Sequence, residues 1–261
     1  MEELLTYDQV SISYQERPVV ENMSFILRPG EILGIAGESG SGKSSVLRAA
    51  LGVLGPGGSM TKGTIRFRGR EISKMSKEEL RRIRGGEIGM IFQDTKASFC
   101  PVRTIGDQIY ESLCAHEKLS RKASDEKARE LFEKIGLKDG KKVLASYPFE
   151  LSGGMNQRVG IACAMLLEPS VLLADEPTSA LDMVAQKQVM EEMMALRKMD
   201  KTAVILVSHN LKLILNLADM VLVLHEGKTV EYGESLQILS RPQAEYTRKL
   251  LDAVPSLKRS E

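Results

Sequence analysis

Hydrophobic and polar residues alternate in some stretches of this chain and recur with helical spacing in others. Tyr7–Tyr14 alternates as a half-buried strand does, and two further strands flank a turn at Arg28–Glu31. The apolar runs at 170–175 and 202–208 are continuous, which is typical of strands that a parallel sheet buries on both faces. A hairpin turning at Glu226–Gly227 is expected after them. Shorter strands are predicted at 63–70 and 87–92.

Helical spacing dominates between Thr104 and Leu137. The apolar side chains that share a face there are Ile105, Ile109 and Leu113, and then Ala128, Leu131, Phe132 and Ile135. Other helices are expected at 44–54, 77–83, 154–167, 184–199, 211–218 and 244–254. Strands that alternate with helices predict an α/β core, and the run that ends near Tyr147–Pro148 predicts a helical insert within it.

Composition narrows the class of protein. The 261 residues are 43% hydrophobic, enough for one large or two closely joined domains with a substantial core. A net charge of +1 gives no basic footprint for nucleic acid. Cys100, Cys114 and Cys163 lack metal-type spacing, so a disulfide framework is not expected, which fits a reducing cytosol.

Membrane insertion is not expected either. The amino terminus carries acidic residues where a signal peptide has basic ones, and the apolar runs fall far short of the ~20 residues of a membrane helix. We expect a soluble chain whose membrane role, if any, comes through a partner.

A phosphate-binding loop is predicted at Gly37–Ser44, where GESGSGKS fits the pattern G-x-x-x-x-G-K-[ST]. Glycines let successive backbone amides point at phosphate oxygens, and the following helix adds positive charge at its start. Lys43 can reach the β- and γ-phosphates, and the Ser44 hydroxyl can bind Mg²⁺. A flexible Gly/Ser turn is the alternative, but the predicted strand and helix on either side favour the phosphate site.

Two adjacent carboxylates end the apolar strand VLLAD. Asp175 is placed to hold Mg²⁺, and Glu176 to accept a proton from the water that attacks the γ-phosphate. A polar strand end that only caps a loop is the alternative, and beside a phosphate loop it is a weak one. Adjacent carboxylates that position water also favour a hydrolase over a kinase.

A second glycine-rich stretch, ELSGGMNQR, occupies Glu150–Arg158. Ser152 is a favourable N-cap, and Gly153 and Gly154 leave backbone amides uncovered at the start of a helix. This describes another anion site. Taken alone, this stretch would more often be an ordinary capped helix. The anion-site interpretation therefore depends on the other motifs.

Together these motifs resemble those of the ATP-binding subunits of ABC transporters, along nearly the whole chain. Gly37–Ser44 is similar to their Walker A loop and Leu151–Met155 to their signature sequence. Val171–Glu176 is similar to Walker B with its catalytic glutamate. The family's D-loop corresponds to Ser179, Ala180, Leu181 and Asp182.

The resemblance implies a role for each motif residue. It implies catalytic roles for Glu176, for Gln93 of the Q-loop in IFQD and for the switch residue His209 in VSHN. The expected ATP-binding residues are Tyr14, Gly37, Ser39, Gly40, Ser41, Gly42, Lys43, Ser44 and Ser45, with Tyr14 stacking on adenine. The expected Mg²⁺ ligands are Ser44, Gln93 and Asp175. Without the motifs around them, Gln93 and His209 would more often have structural roles.

The family also explains the second glycine-rich loop. Its two ATPase subunits sit head to tail, and each signature loop contacts the γ-phosphate held by the other subunit. The residues expected to serve the partner's ATP are Leu151, Ser152, Gly153, Gly154 and Met155. The implied partners are a second ATPase subunit, identical or not, two membrane permeases and an extracytoplasmic binding protein, at the cytoplasmic face of the membrane.

Several stretches resemble the dipeptide, oligopeptide and nickel importer branch, in its first ATPase type. They are GIAGESGSGKS, ELRRIRGGEIGMIFQD, LSGGM and YTRKLLDAVP. The segment Thr95–Pro101 departs from the branch's D-P-x-x-S-L-N-P run, and Asn156 stands where arginine is usual. The chain ends without the cysteine-bearing extension of many oligopeptide members, so no iron–sulfur cluster is expected.

The predicted fold is therefore a P-loop NTPase with a mostly parallel sheet, an N-terminal antiparallel β-subdomain and a helical insert. A single domain is expected over 1–261, comprising a core of 1–94 and 168–233, a helical subdomain of 95–167 and a helical tail of 234–261. Other functions remain open: an exporter ATPase, which shares every catalytic motif, a non-transport ABC ATPase, and a GTPase or kinase that shares only the phosphate loop.

Overall fold

The structure, a computed structural model, describes residues 2–178 and 183–252. The described residues form ten β-strands: β1 Leu5–Tyr14, β2 Arg17–Leu27, β3 Ile32–Ala36, β4 Gly58–Phe67, β5 Arg70–Glu71, β6 Ile88–Ile91, β7 Val171–Asp175, β8 Ala203–Ser208, β9 Met220–His225 and β10 Lys228–Glu234. They also form eleven α-helices: α1 Lys43–Ala50, α2 Lys77–Ile83, α3 Thr95–Ser98, α4 Ile105–Cys114, α5 Arg121–Lys134, α6 Gly140–Ala145, α7 Gly153–Met165, α8 Met183–Asp200, α9 Leu211–Leu217, α10 Ser235–Ser240 and α11 Glu245–Asp252.

Two compact units divide the chain. The first comprises Met1–Met75 and Ile205–Glu261, and the second Ser76–Val204. The domain boundaries expected from the sequence stay a prediction. Within the described ranges, 2–178 and 183–252, no helix is both long and apolar enough to cross a membrane.

The first unit contains the strands β5-β4-β1-β2-β10-β9-β3 in that order, together with most of β8. Antiparallel pairing of β1 with β2 and β4 confirms the predicted N-terminal antiparallel β-subdomain. The β9–β10 hairpin also forms, and its turn residues Glu226 and Gly227 have φ of 47° and 77°, the left-handed pair that a tight hairpin requires. Parallel pairing of β3 with β9 places the end of β3 in the interior of the sheet, where the phosphate loop begins.

Helix α1 is shorter than predicted. The sequence predicts a helix over 44–54, but α1 ends at Ala50. Gly52 has φ of 62°, and the amide of Val53 donates to the carbonyl of Arg48 at 3.0 Å. A left-handed glycine that closes the last turn in this way is a common helix ending, so Leu54 lies beyond the helix.

The second unit pairs β6 with β7 in parallel, from Ile88 opposite Val171 to Ile91 opposite Ala174. Every residue of β7 is buried, as its continuous apolar run predicts. The predicted helical faces are buried too, with Ile105, Ile109, Leu113, Ala128, Phe132 and Ile135 at 0–1% exposure. Leu131 is the exception, because it lies at the edge of that face and is half-buried.

Candidate functional site

The phosphate loop connects β3 to α1, as the sequence predicts. Gly40 and Gly42 have φ of 82° and 101°, a left-handed backbone that side chains disfavour. A Cβ on Gly42 would also lie 2.8 Å from the carbonyl oxygen of Val19. Glycine at position 42 is therefore required both by the backbone angle and by the close approach of β2.

Lys43 folds back over its own loop. Its ammonium donates to the carbonyls of Gly37 at 2.8 Å and Glu38 at 2.6 Å, and the residue is 5% exposed. The Ser41 hydroxyl is buried with no hydrogen-bond partner in the structure. A buried polar group without a partner is costly, so a phosphate oxygen suits this hydroxyl, and the loop fits an anionic ligand.

The same unit contains Tyr14 and His209. The Tyr14 hydroxyl donates to the carbonyl of Leu54 at 2.8 Å and lies 3.5 Å from Ser45 Oγ, so the ring is anchored beside the start of α1. His209 is exposed and follows β8. The next residue, Asn210, caps α9 by accepting a bond from the amide of Leu213 at 3.1 Å.

The second unit brings Gln93 and Glu176 into contact. Gln93 Nε2 donates to Glu176 Oε2 at 3.3 Å. Glu176 follows β7 with φ of 45°, a left-handed backbone conformation that ends the strand. Asp175 ends β7 and is 4% exposed. The Gln93 amide and the Glu176 carboxylate thus meet beyond the ends of β6 and β7, next in the chain to the buried Asp175. An amide and a carboxylate in contact can orient a water molecule, and a buried carboxylate can hold a cation.

The signature segment begins α7, which starts at Gly153. Ser152 is its N-cap and accepts a bond from the amide of Met155 at 3.3 Å, as the sequence predicts. Asn156 is 1% exposed, and its Nδ2 lies within bonding distance of the carbonyls of Pro148, Leu151 and Ser152. Asn156, which stands where arginine is usual, therefore holds the loop to the helix that follows it.

The structure groups the expected residues within each unit. Tyr14, the phosphate loop and His209 belong to the first, and Gln93, Asp175, Glu176 and the signature segment to the second. The D-loop residues Ser179, Ala180, Leu181 and Asp182 lie outside the described residues.

Three further residues make hydrogen bonds within or beside these loops and were not predicted. Tyr246 accepts a hydrogen bond from the phosphate loop at Glu38, and Thr95 bonds to Gln157. Tyr246 and Thr95 each lie in a stretch that the sequence sets apart, YTRKLLDAVP and the unusual Thr95–Pro101 segment, but nothing in those stretches indicates their contacts.

Comparison with known proteins decides the family. The family described as "ABC transporter" matches residues 20–179, more than half of the chain. The chain belongs to the ABC transporter family. Among solved ABC structures, the chain is similar to a dimeric bacterial ABC transporter cassette, with a TM-score of 0.79 and 25% identity over 89% of this chain and 99% of that one. A dimeric ATP-binding cassette bound to ADP and inorganic phosphate is also similar, with a TM-score of 0.78, 25% identity and the same coverage.

Curated ABC relatives are more similar in sequence. The dipeptide transport ATP-binding protein DppD of Bacillus subtilis is 38% identical, over 98% of this chain and 78% of that protein. The oligopeptide transport ATP-binding protein OppD of Escherichia coli is 40% identical, over 91% and 70%. The glutathione import ATP-binding protein GsiA of the same species is 39% identical, over 97% of this chain and 42% of that protein.

These findings confirm the predicted class. The chain has the fold of an ABC ATPase, binds nucleotide and is an ATP hydrolase coupled to transport. Its relatives also confirm the importer branch over the exporter, non-transport, GTPase and kinase alternatives.

Proposed function

We propose that this chain powers the uptake of peptides, or of nickel or other metal chelates, by hydrolysing ATP between two head-to-tail ATPase subunits. The names of DppD and OppD favour peptides as the transported substrate. The hydrogen bond between Gln93 and Glu176 carries the catalytic part of the proposal, because it joins a water-orienting amide to a carboxylate base.

ATP binds first at the phosphate loop. The Lys43 ammonium leaves the loop carbonyls and binds the β- and γ-phosphates. The Ser41 hydroxyl, which has no partner in the structure, donates a hydrogen bond to a phosphate oxygen. The other loop residues contribute backbone amides, and they are Gly37, Ser39, Gly40, Gly42, Ser44 and Ser45. Tyr14, anchored through its hydroxyl, stacks on adenine.

Mg²⁺ is implied by the family, and the types of donor atom on the three expected residues fit it. Ser44, Gln93 and Asp175 would hold it, since hydroxyl, amide and carboxylate oxygens are the hard ligands that Mg²⁺ prefers. The buried Asp175 carboxylate suits a cation in particular. When bound, the metal supplies charge neutralisation at the phosphates.

Glu176 acts as the base for hydrolysis. It accepts a proton from water while the water oxygen bonds to the γ-phosphorus, and the bond from that phosphorus to the bridging oxygen breaks to release ADP. Gln93 orients Glu176 and the water, and His209 contacts the γ-phosphate and stabilises its developing charge.

A second subunit completes each site. The signature segment Leu151–Met155 presents the uncovered amides of Gly153 and Gly154, at the start of α7, to the partner's γ-phosphate. The D-loop 179–182 belongs to the same proposed interface. The dimeric cassettes among the solved relatives support such an assembly, and the partner is identical or a second ATPase type.

The proposed transporter places this chain at the cytoplasmic face of the membrane. Two permease subunits anchor it there, and an extracytoplasmic binding protein delivers substrate to them. The chain itself then needs no spanning helix.

The test is ATP turnover by the chain co-purified with its permeases in lipid nanodiscs. Glu176→Gln should lower turnover about 10²- to 10⁴-fold while ATP still binds. Glu168→Gln, an exposed carboxylate on the loop before β7, is the matched control and should retain activity. Wild-type turnover in Glu176→Gln would refute the catalytic assignment. Stimulation by binding protein loaded with peptide, Ni²⁺ or a metal chelate then identifies the substrate class.

A further inference from the structure

We propose that Thr95 and Gln157 are positioning residues that couple the Q-loop at Gln93 to the signature helix α7. We call this contact the Thr95–Gln157 bridge. It rests on the proposed function, and it adds a connection within one subunit between the catalytic carboxylate and the loop that serves the partner's ATP.

The bridge is a buried hydrogen bond. The Thr95 hydroxyl lies 2.9 Å from Gln157 Oε1 and 3.1 Å from the carbonyl of Phe92. The two residues are only 4% and 5% exposed, so water does not compete for the bond.

The orientation of the Gln157 amide decides how the bonds are shared. A hydroxyl has one hydrogen, and Gln157 Nε2 is buried without a partner as the amide stands. Turning the amide by half a turn lets Nε2 donate to Thr95 while Thr95 donates to Phe92. In either orientation Thr95 joins the Q-loop backbone to α7.

Close packing reinforces the bond. A Cβ on Gly160 would lie 2.2 Å from Thr95 Cγ2, so the Thr95 methyl rests against the bare backbone of α7 one turn beyond Gln157. Asp94 caps α3 by accepting a bond from the amide of Ala97 at 2.9 Å, which fixes the backbone that carries Thr95. Because α3 and α7 meet through both a hydrogen bond and a methyl contact, they shift as one body.

Both ends of the bridge reach the chemistry. Gln93 lies two residues before Thr95 and bonds to Glu176 at 3.3 Å. At the other end, Gln157 follows Asn156, whose amide holds the carbonyls of Leu151 and Ser152. A displacement of the Q-loop is therefore carried to the signature loop. In a head-to-tail dimer this links the water at one ATP to the amides that bind the other.

The segment is also one where the sequence departs from the family resemblance. Thr95 opens the stretch Thr95–Pro101, which departs from the run usual in the branch. The bridge gives that departure a physical role, because it supplies a hydroxyl directly beside the Q-loop.

The test compares Thr95→Val with Thr95→Ser in the transporter assembled in nanodiscs. Valine keeps the methyl contact with Gly160 and loses the hydroxyl, whereas serine keeps the hydroxyl and loses the methyl. Thr95→Val should lower stimulated kcat about tenfold and bring the Hill coefficient for ATP towards 1. The affinity for a fluorescent ATP analogue should change less than twofold, and Thr95→Ser should restore most of the activity.

Two further variants make the result decisive. Gln157→Met should match Thr95→Val, and the double variant should be no worse than either one, because both remove the same bond. Thr61→Val, which removes an exposed hydroxyl from β4, should behave as wild type. Wild-type kcat in Thr95→Val, equal losses in Thr95→Val and Thr95→Ser, or additive losses in the double variant would each overturn the bridge. Glu176→Gln in the same preparation tests the proposed function separately.

Discussion

The backbone amide of Glu38 donates a hydrogen bond to the hydroxyl of Tyr246 at 3.2 Å, although 208 residues separate them. Glu38 lies in the phosphate loop, and Tyr246 is the second residue of α11. The His225 ring stacks on Tyr246 with the ring centroids 3.9 Å apart. The last described helix thus supports the loop through Tyr246, and the end of β9 supports Tyr246 through His225.

This contact predicts that Tyr246→Phe weakens ATP binding. Phenylalanine keeps the stack on His225 and removes the acceptor, so the first turn of the loop loses one fixed amide. We expect KM for ATP to rise about three- to tenfold with kcat little changed, measured by ATP titration of turnover.

Tyr232→Phe is the control for this change. Tyr232 lies on β10 in the same unit and is 39% exposed. Equal KM values for wild type and Tyr246→Phe, or an equal rise in both variants, would contradict a role for Tyr246 in supporting the loop.

Local chemistry fixes where some elements begin. Helix α2 runs over Lys77–Ile83 as predicted, because Ser76 and Glu79 form a capping box that fixes its first residue. The predicted end of α1 lies too far along the chain. Nothing in the apolar spacing around Gly52 shows that this glycine takes up a left-handed conformation. Periodicity identifies a helix, whereas its ending depends on one backbone angle.

Contacts between distant segments could not be predicted in the same way. The motifs indicated Lys43, Glu176 and Ser152 because the required chemistry restricts the residue types at those positions. By comparison, the Tyr246 hydroxyl and the Thr95–Gln157 bridge depend on which faces meet in the folded chain. A hydrophobic pattern shows that a residue is buried, but it does not show which residue it touches.

The ion pair between Arg158 and Glu192 predicts a stability effect. Arg158 Nε and Nη2 donate to the two carboxylate oxygens at 2.9 and 3.2 Å, and the side chains are only 18% and 15% exposed. Arg158→Met removes one partner and leaves a half-buried carboxylate unpaired. We expect a loss of about 2 kcal/mol in the free energy of unfolding, less than for a fully buried pair.

The neighbouring pair of Lys187 and Glu191 is the matched control on α8. Its side chains are 80% and 66% exposed, with an N–O distance of 3.8 Å. Lys187→Met should therefore change the free energy of unfolding by less than about 0.5 kcal/mol. Denaturant unfolding of both variants measures the difference, and similar losses in the two would show that burial does not set the strength of the Arg158 pair.

The three cysteines should differ in reactivity. All are free thiols; Cys100 and Cys114 are exposed, whereas Cys163 is half-buried on α7. Burial raises the pKa of the Cys163 thiol to about 12. Because the thiolate is the reactive form, Cys163 at pH 8 should be alkylated at least about 100-fold more slowly than a thiol of ordinary pKa near 8.5. Its rate should keep rising about tenfold per pH unit up to pH 10, since that range lies below its pKa.

Timed iodoacetamide labelling with peptide mass spectrometry measures the rate at each cysteine. Denatured protein, in which all three thiols should react alike, is the reference. Equal rates at the three sites in the folded chain would show that the Cys163 thiol is not shielded.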